Sequence, residues 1–164
     1  MAILEPGRIA PDFLLKTETG GIFSLKQNLN KGSVLLAFYK KSCPTCQMAF
    51  PYIERIHQGY AGENFLVLAI AQDPPADIPE FKQTYGLSLP TVADENQYAT
   101  SKAFGLTNVP TLFLVRPDQK VEMTLVGWSK KEMLELSQEI AKMTKKASIG
   151  LFTPKDDVPD FKPG

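Results

Sequence analysis

The sequence predicts an α/β fold in which a central mixed sheet is flanked by helices. Three apolar runs without polar alternation are typical of strands covered on both faces: residues 33–39, 65–71 and 111–115. Segments with helical periodicity or helix-stop signals separate these runs. Strand and helix signals that alternate in this way favour a sheet with parallel strand pairs and helices on both of its faces.

The N-terminal region predicts a short β-hairpin extension in front of this sheet. Pro11-Asp12-Phe13-Leu14-Leu15 and Ile22-Phe23-Ser24-Leu25 are short strand-forming runs, and Thr19-Gly20-Gly21 lies between them. Glycines between two such runs are typical of a turn.

The segment after Ser42 predicts a helix. Met48, Tyr52 and Ile56 recur there every four residues and form an apolar stripe. Pro51 lies inside the stripe, where a proline is expected to kink the helix.

The middle of the chain predicts a second and a third helix. Pro79 suits the first turn of a helix that ends at Gly86. A short strand is then predicted over residues 89–93, followed by a helix over residues 95–104 that Gly105 stops.

The C-terminal part predicts a β-hairpin, a helix and a tail. The turn at residues 117–120 joins the last apolar run to a strand over residues 121–128, and Ser129 caps a helix. The apolar residues expected on the inner face of this helix are Met133, Leu134, Ile140 and Met143. From residue 147 onward, three prolines and three aspartates accompany few apolar residues, which predicts an irregular tail lying on the surface or mobile. We therefore expect one domain over residues 1–146 and a tail over residues 147–164.

Composition excludes several classes of protein. The 164 residues include 18 Lys+Arg and 18 Asp+Glu, and a net charge of zero argues against nucleic-acid binding. No apolar run approaches the ~20 residues that cross a bilayer, and Met1 to Gly7 do not form a signal peptide. The sequence as given thus predicts a cytoplasmic protein without membrane insertion. An extracytoplasmic location is expected instead if a leader or anchor has been removed.

The two cysteines of the chain form the motif that carries chemistry, Cys43-Pro44-Thr45-Cys46, between a buried strand and a helix. A cysteine at a helix start lies among unpaired backbone N–H groups and at the positive end of the helix dipole, and both favour the thiolate. The second thiol, one turn on, can close a small disulfide. Lys40 and Lys41 are candidates to add positive potential, although lysines in such loops are usually solvated.

Two structural alternatives remain open for the cysteines. A Cys-x-x-Cys can be half of a zinc site, but zinc takes about four ligands and the chain offers only His57 in addition. Both cysteines can also be inert core residues. His57 itself is expected to be an ordinary helix residue.

The order of these elements resembles the thioredoxin superfamily: strand, Cys43-Pro44-Thr45-Cys46, proline-containing helix, strand, helix, Val109-Pro110-Thr111, strand, turn, strand, helix. The N-terminal extension is similar to that of the redoxin branch. This branch includes the alkyl-hydroperoxide-reductase/thiol-specific-antioxidant proteins and the thiol–disulfide oxidoreductases of cytochrome maturation. Residues 85–118 are similar to the second group, and the resemblance covers roughly residues 10–143.

The resemblance implies a role for each matching position. Cys43 matches the nucleophilic cysteine and Cys46 the resolving one. Pro44 and Thr45 match the variable pair that helps to set the redox potential.

The resemblance also implies a substrate groove. Pro110 matches the cis-proline that faces the disulfide in this superfamily, and the backbone of Val109 matches the one that pairs with an extended substrate segment.

Two departures from thioredoxins concern groups near the dithiol. Ser42 stands where thioredoxins usually have tryptophan, and Ala37 replaces a buried acid. Proton transfer from the resolving thiol then needs water or another group. Asp73 and Glu54 are candidates, although we expect both to be surface charges.

Three functions follow as expectations. The first is a thiol–disulfide oxidoreductase that acts on protein or small disulfides and receives electrons from a dithiol protein, with no flavin, nicotinamide or metal cofactor. The second is a peroxiredoxin-like peroxidase, although Lys40 stands where a peroxide-holding Thr or Ser is expected and Arg116 is the only late arginine. The third is a redox-silent interaction or metal-delivery domain. Copper-delivering relatives have a wider cysteine spacing and a late histidine, neither of which this chain has.

Overall fold

A computed structural model describes residues 2–164. The strands are β1 (Leu14–Lys16), β2 (Ile22–Ser24), β3 (Ser33–Tyr39), β4 (Phe65–Ala71), β5 (Thr91–Ala93), β6 (Thr111–Val115), β7 (Val121–Val126), β8 (Trp128–Ser129) and β9 (Phe161–Lys162). The helices are α1 (Leu25–Leu29), α2 (Pro44–Tyr60), α3 (Ile78–Tyr85), α4 (Glu95–Ala103) and α5 (Lys130–Thr144). Within residues 2–164, no helix combines the length and apolar character needed to cross a membrane.

The central sheet is mixed, as predicted. Its five strands lie in the order β5-β4-β3-β6-β7. Strand β4 is parallel to both β3 and β5, whereas β6 is antiparallel to β3 and β7 is antiparallel to β6. The predicted N-terminal hairpin is also confirmed, because β1 and β2 pair antiparallel.

Strand β3 is buried on both faces, which explains its unbroken apolar sequence. Leu35, Ala37 and Tyr39 belong to the apolar cluster that includes α2, α3 and α5. Leu36 and Phe38 alternate with them and belong to the cluster on the opposite face, with the N-terminal hairpin and α1.

Helix α2 starts directly beyond the end of β3 and positions the cysteine motif. Cys43 is the N-cap and Pro44 occupies the first turn, where the missing N–H of proline costs no hydrogen bond. Pro51 lies inside the helix. The buried face of α2 includes Phe50 and Ile53, so the helix is held against the sheet by apolar packing.

Several local predictions are wrong. Leu134 is 40% exposed, because the buried face of α5 is formed by Met133, Leu136 and Ile140 instead. The strand predicted over residues 89–93 is limited to Thr91–Ala93.

Two further elements differ from the prediction. Helix α4 is interrupted by left-handed backbone at Asn96, Gln97 and Tyr98, so it is not regular over its first turn. The short helix α1, capped by the Ser24 hydroxyl, was not predicted.

The chain after α5 crosses back over the outer face of α2. Leu151 is buried, and Phe152 packs against Trp128 and Tyr52 with ring centroids 5.9 Å and 5.0 Å away. Asp156 accepts two hydrogen bonds, of 2.8 Å and 3.1 Å, from the Arg55 guanidinium. The segment ends in β9, which pairs antiparallel with β8.

Candidate active site

Cys43 lies where backbone donors converge on its sulfur. As the N-cap of α2 it has extended backbone, and its Sγ accepts a 3.2 Å hydrogen bond from the backbone N–H of Cys46. The free N–H groups and the dipole of the helix N-terminus favour negative charge at this position. Cys43 is also partly exposed, so this residue at the helix N-terminus is within reach of solvent.

Cys46 has the opposite environment. Its side chain is fully buried against α2 and β3. Burial raises the pKa of the Cys46 thiol, and a hydrogen bond with the Cys43 sulfur and the charge of Asp73 raise it further, against an opposing backbone N–H from Lys40. Burial therefore favours the protonated form of the Cys46 thiol. The alternative that both cysteines are inert core residues fits the buried Cys46 but does not fit Cys43, which is partly exposed.

The bond between Val109 and Pro110 is cis, and it lies beside the dithiol. The Cys43 thiol donates to the Val109 carbonyl oxygen over 3.4 Å. The Pro110 carbonyl accepts a 2.8 Å hydrogen bond from the N–H of Gly127, and the Thr111 hydroxyl donates to the Asn108 carbonyl. These bonds fix the loop that presents the backbone of Val109 next to the reactive sulfur.

The two residues between the cysteines face different surroundings. Pro44 is exposed, whereas Thr45 is 3% exposed. The Thr45 hydroxyl donates a 2.7 Å hydrogen bond to the carbonyl of Pro163, in the last residues of the chain. Sequence reasoning missed this contact, since nothing in the tail sequence indicates where it lies.

The two lysines before the motif act through their backbone. The Lys40 carbonyl accepts the N–H of Cys43, and the Lys41 N–H donates to the Asp73 carboxylate. The Lys41 ammonium pairs with Asp77 over 2.8 Å, and this contact raises the pKa of Lys41. The structure thus brings the Lys41 charge to a carboxylate and not to a thiol.

The two candidate proton acceptors are both buried, so the expectation of surface charges is wrong. Asp73 is 9% exposed and lies near Cys46. Glu54 is 8% exposed and accepts hydrogen bonds from Gln58, Ser88 and Leu89. Only Asp73 belongs to the site, because the carboxylate of Glu54 is used to fix the loop between α3 and β5.

A cleft of about 350 Å³ opens next to the motif. Lys41, Ser42, Phe81 and Tyr85 line it, together with acidic residues at its rim. Phe81 and Tyr85 pack with ring centroids 4.8 Å apart, which gives the cleft an aromatic wall. The sequence shows Ser42 in place of a bulky residue, and the cleft lies at that position.

A sequence profile of the AhpC/TSA family matches residues 6–124, most of the chain. The chain belongs to the AhpC/TSA family. This places it in the redoxin branch of the thioredoxin superfamily, in agreement with the resemblance inferred from the sequence.

Individual relatives of this AhpC/TSA protein are thiol–disulfide enzymes. The chain is 29% identical over 133 residues to the thiol-disulfide oxidoreductase ResA of Bacillus thuringiensis, covering 80% of this chain and 76% of ResA. Two solved structures share its fold. A thiol:disulfide interchange protein from a Bacteroides species has a TM-score of 0.74 and 18% identity, covering 90% of this chain and 95% of that one. Peroxidoxin BcpB from Mycobacterium tuberculosis has a TM-score of 0.71 and 20% identity, and the match covers 85% of this chain and 97% of BcpB.

This AhpC/TSA protein places its arginines away from Cys43. Arg116 pairs with Asp118 and Glu122 in the turn after β6. Since Val115 pairs with Val34 at the start of β3, the turn lies about 17 Å along the strand from the cysteine end of the sheet.

The other two arginines are equally distant. Arg55 lies twelve residues beyond Cys43 and pairs with Asp156, about 18 Å along α2. The Arg8 carbonyl bonds to Val121, at the turn that Arg116 also occupies. The arginine that the peroxidase hypothesis requires is therefore not beside the thiol.

The AhpC/TSA protein also lacks a clustered metal site in its described part. Among residues 2–164, no three His, Cys, Asp or Glu side chains are grouped to hold a metal ion. His57, the candidate third ligand, lies on α2 with its Nδ1 buried and unpaired, and burial lowers its pKa.

Proposed function

We propose that this protein is a thiol–disulfide oxidoreductase in which Cys43 attacks the substrate disulfide and Cys46 resolves the mixed disulfide. The observation that carries the proposal is the asymmetry of the pair. Cys43 is partly exposed with a backbone N–H directed at its sulfur, whereas Cys46 is buried and keeps its proton. A nucleophile needs the first environment and a resolving thiol tolerates the second.

The reaction proceeds in two exchanges. The Cys43 thiolate attacks one sulfur of the substrate disulfide, forms a Cys43–substrate disulfide and releases the other substrate sulfur as a thiolate. Cys46 then loses its proton, attacks the Cys43 sulfur and releases the second substrate thiol. Two electrons pass from the dithiol to the substrate, and the protein is left with a Cys43–Cys46 disulfide.

The environment of Cys46 controls the second exchange. Because burial raises the pKa of its thiol, Cys46 becomes nucleophilic only when a base or water takes its proton. Asp73 lies close enough to influence that thiol. Resolution is therefore expected to be slower than attack and to accelerate as the pH rises.

The substrate class is a disulfide-containing protein or a small disulfide, and the electron donor is a dithiol protein. The position of Val109 supports this choice, since its backbone carbonyl oxygen lies 3.4 Å from the Cys43 sulfur, beside the cis bond to Pro110. The name of the Bacillus thuringiensis relative agrees with the same reaction class.

Trapping of the mixed disulfide tests the proposal. Reduced Cys46→Ser protein should form a stable 1:1 adduct with a disulfide substrate, whereas the matched Cys43→Ser variant should form none, as measured by intact-protein mass spectrometry. An adduct formed equally well by Cys43→Ser would reverse the two roles. Full turnover of a disulfide substrate by Cys43→Ser would show that Cys43 is not the attacking cysteine and would overturn the proposed function.

Membership of the AhpC/TSA family supports hydroperoxide reduction as a second candidate function. In that reaction the Cys43 thiolate attacks the peroxide, is oxidised to a sulfenic acid and releases water or an alcohol. Cys46 then condenses with the sulfenic acid and a second water leaves. We expect this to be the slower activity, because Arg55 and Arg116 are held in ion pairs away from Cys43 and do not support the charge that develops on the peroxide oxygens.

A further inference from the structure

Residues near the C-terminal end of the given sequence contact the dithiol motif and the cis-proline loop. We call residues 159–164 the strap. In its first half, β9 pairs with β8, placing Lys162 opposite Trp128. The Trp128 indole N–H donates to the Pro159 carbonyl over 2.7 Å, and the Lys130 N–H donates to the Asp160 carbonyl over 2.9 Å.

The second half of the strap contacts the site itself. The Pro163 carbonyl accepts the 2.7 Å hydrogen bond from the Thr45 hydroxyl, between the two cysteines. Gly164 lies so close to the cis-proline loop that a Cβ there would be 2.2 Å from the Val109 carbonyl oxygen. The same Cβ would be 2.9 Å from Asn108 Nδ2.

The strap also closes against the turn that precedes β8. A Cβ on Gly127 would lie 3.1 Å from the Lys162 carbonyl oxygen and 3.2 Å from the Gly164 nitrogen. The strap therefore crosses between the first turn of α2, the Val109 loop and the Gly127 turn. The first turn of α2 follows Cys43 directly, and the Val109 loop supplies the carbonyl that the Cys43 thiol contacts.

The Val109 carbonyl lies beside both the reactive cysteine and the strap. It accepts a hydrogen bond from the Cys43 thiol, so an extended substrate segment whose disulfide reaches Cys43 is expected to pass beside it. The strap already occupies the space against this carbonyl. An extended polypeptide must displace the strap to pair there, whereas a small disulfide needs only the exposed part of Cys43.

We propose that the strap is a specificity-determining segment, which occupies the position of an extended polypeptide substrate and directs the enzyme toward small disulfides. This inference rests on the proposed function, since it concerns which disulfides reach Cys43. Only molecules in which the strap has left this position can bind an extended substrate. The apparent Kd for such a substrate is therefore the intrinsic Kd divided by the fraction of molecules with the strap displaced.

The strap can be released without unfolding the chain that holds it. It is bound by a two-residue strand, and its Phe161 side chain is 66% exposed. The preceding segment is anchored separately, because Leu151 is buried and Asp156 pairs with Arg55. Local opening of such a lightly packed segment costs far less than global unfolding.

Two variants and one control isolate the strap. Gly164→Leu places a side chain against the Val109 backbone, which cannot give way. A chain that stops after Asp160 lacks the strap residues that touch the site. Gly150→Leu is the matched control, since a Cβ at Gly150 meets nothing within 4 Å.

The experiment is single-turnover disulfide reduction by each fully reduced protein. One probe is bis(2-hydroxyethyl) disulfide, and the other is a linear ten-residue peptide whose central cysteine carries glutathione in a mixed disulfide. Fluorescence of Trp128, the only tryptophan of the chain, reports independently whether the strap has left its place.

Both strap variants should reduce the peptide about 5- to 150-fold faster than the unmodified protein, the usual range of such coupling, with the small disulfide unchanged. Gly150→Leu should behave as the unmodified protein with both probes. An unchanged peptide rate in the shortened chain would overturn the proposal, as would an equal gain with both probes. Failure of every variant to reduce the small disulfide would instead overturn the proposed function, and the strap proposal with it.

Discussion

The carboxylate of Asp73 accepts a 2.8 Å hydrogen bond from the backbone N–H of Lys41, two residues before Cys43. Asp73 follows the end of β4, so the bond ties the loop that carries the nucleophile to the neighbouring parallel strand. Burial is the largest cause of the raised pKa of Cys46, and the charge of the same Asp73 carboxylate adds to it. One residue thus positions one cysteine and influences the ionisation of the other.

Asp73→Asn separates these two effects. An amide oxygen can still accept the Lys41 N–H, but the negative charge is lost. Burial remains the largest cause of the raised pKa of Cys46, yet removal of the charge should lower that pKa. We expect the pH profile of mixed-disulfide resolution to shift toward lower pH, as measured by rapid-quench alkylation.

Asp77→Asn is the control for Asp73→Asn, because it removes the half-buried ion-pair partner of the Lys41 ammonium and leaves the loop anchor in place. It should leave the profile of resolution unchanged. Asp73→Asn could instead slow mixed-disulfide resolution without shifting its pH profile. That result would show that Asp73 accepts the proton of Cys46.

Glu54→Gln is expected to reduce stability without changing the chemistry. Burial alone would raise the pKa of Glu54, but hydrogen bonds from Gln58, Ser88 and Leu89 outweigh it and lower the pKa. Loss of the charged acceptor should cost about 1 to 3 kcal/mol in the free energy of unfolding, as measured by urea titration.

The stabilisation from Glu54 also has a defined pH dependence. Because its pKa is lower in the folded chain, the contribution is complete above the ordinary value of about 4.3 and is lost as the pH falls below it. The exposed Glu63→Gln is the control and should change neither stability nor its pH dependence. Equal losses in both variants would contradict the role of Glu54.

The segment before the strap should detach in acid. The Arg55 guanidinium holds the pKa of Asp156 well below its usual range, and hydrogen bonds from Thr153 and Tyr52 add to this effect. The contribution of Asp156 to stability is therefore complete above about pH 3.9 and is lost as the pH falls through the lowered pKa.

Trp128 fluorescence measures this detachment, since the indole contacts Phe152 and Pro159. We expect the spectrum to change only below about pH 3.9 in the unmodified protein and to be altered already at pH 7 in Asp156→Asn. The exposed Asp157→Asn should match the unmodified protein. An Asp156→Asn spectrum identical to that of the unmodified protein at pH 7 would contradict the anchoring role.

Hydrogen peroxide should oxidise Cys43 slowly. At micromolar peroxide we expect sulfenic acid formation, followed with a dimedone-type probe, to be far slower than reaction with a disulfide. Arg116→Gln should not change it, because Arg116 pairs with acidic residues at the far end of β6. Rapid oxidation of Cys43 at micromolar peroxide would show that hydroperoxide reduction, and not disulfide reduction, is the main activity.

The sequence was sufficient for the features that depend on local patterns. The buried strands were predicted because β3 and β4 are covered on both faces and so have no polar alternation. The position of Cys43 at a helix start followed from the change of periodicity after Ser42. The cis bond at Pro110 required the family resemblance, since few X–Pro bonds are cis.

Features that depend on contacts between distant residues were not predicted. Asp73 and Glu54 are charged, and charged residues are usually exposed. Their burial depends on hydrogen-bond donors 32 to 35 positions away, which the sequence does not reveal. The contact of Thr45 with Pro163 joins residues 118 positions apart. Leu134 was misplaced because an apolar residue on a helix can face solvent singly.

A redox titration of the Cys43–Cys46 pair with thiol trapping tests the central claim most directly. The protein is equilibrated in dithiothreitol or glutathione buffers of defined potential, alkylated and analysed by peptide mass spectrometry. We expect one two-electron transition between about −270 and −120 mV, with Cys43 alkylated well before Cys46 in the reduced protein. Thiols that stay reduced across the whole range, or a Cys46 that reacts before Cys43, would contradict it.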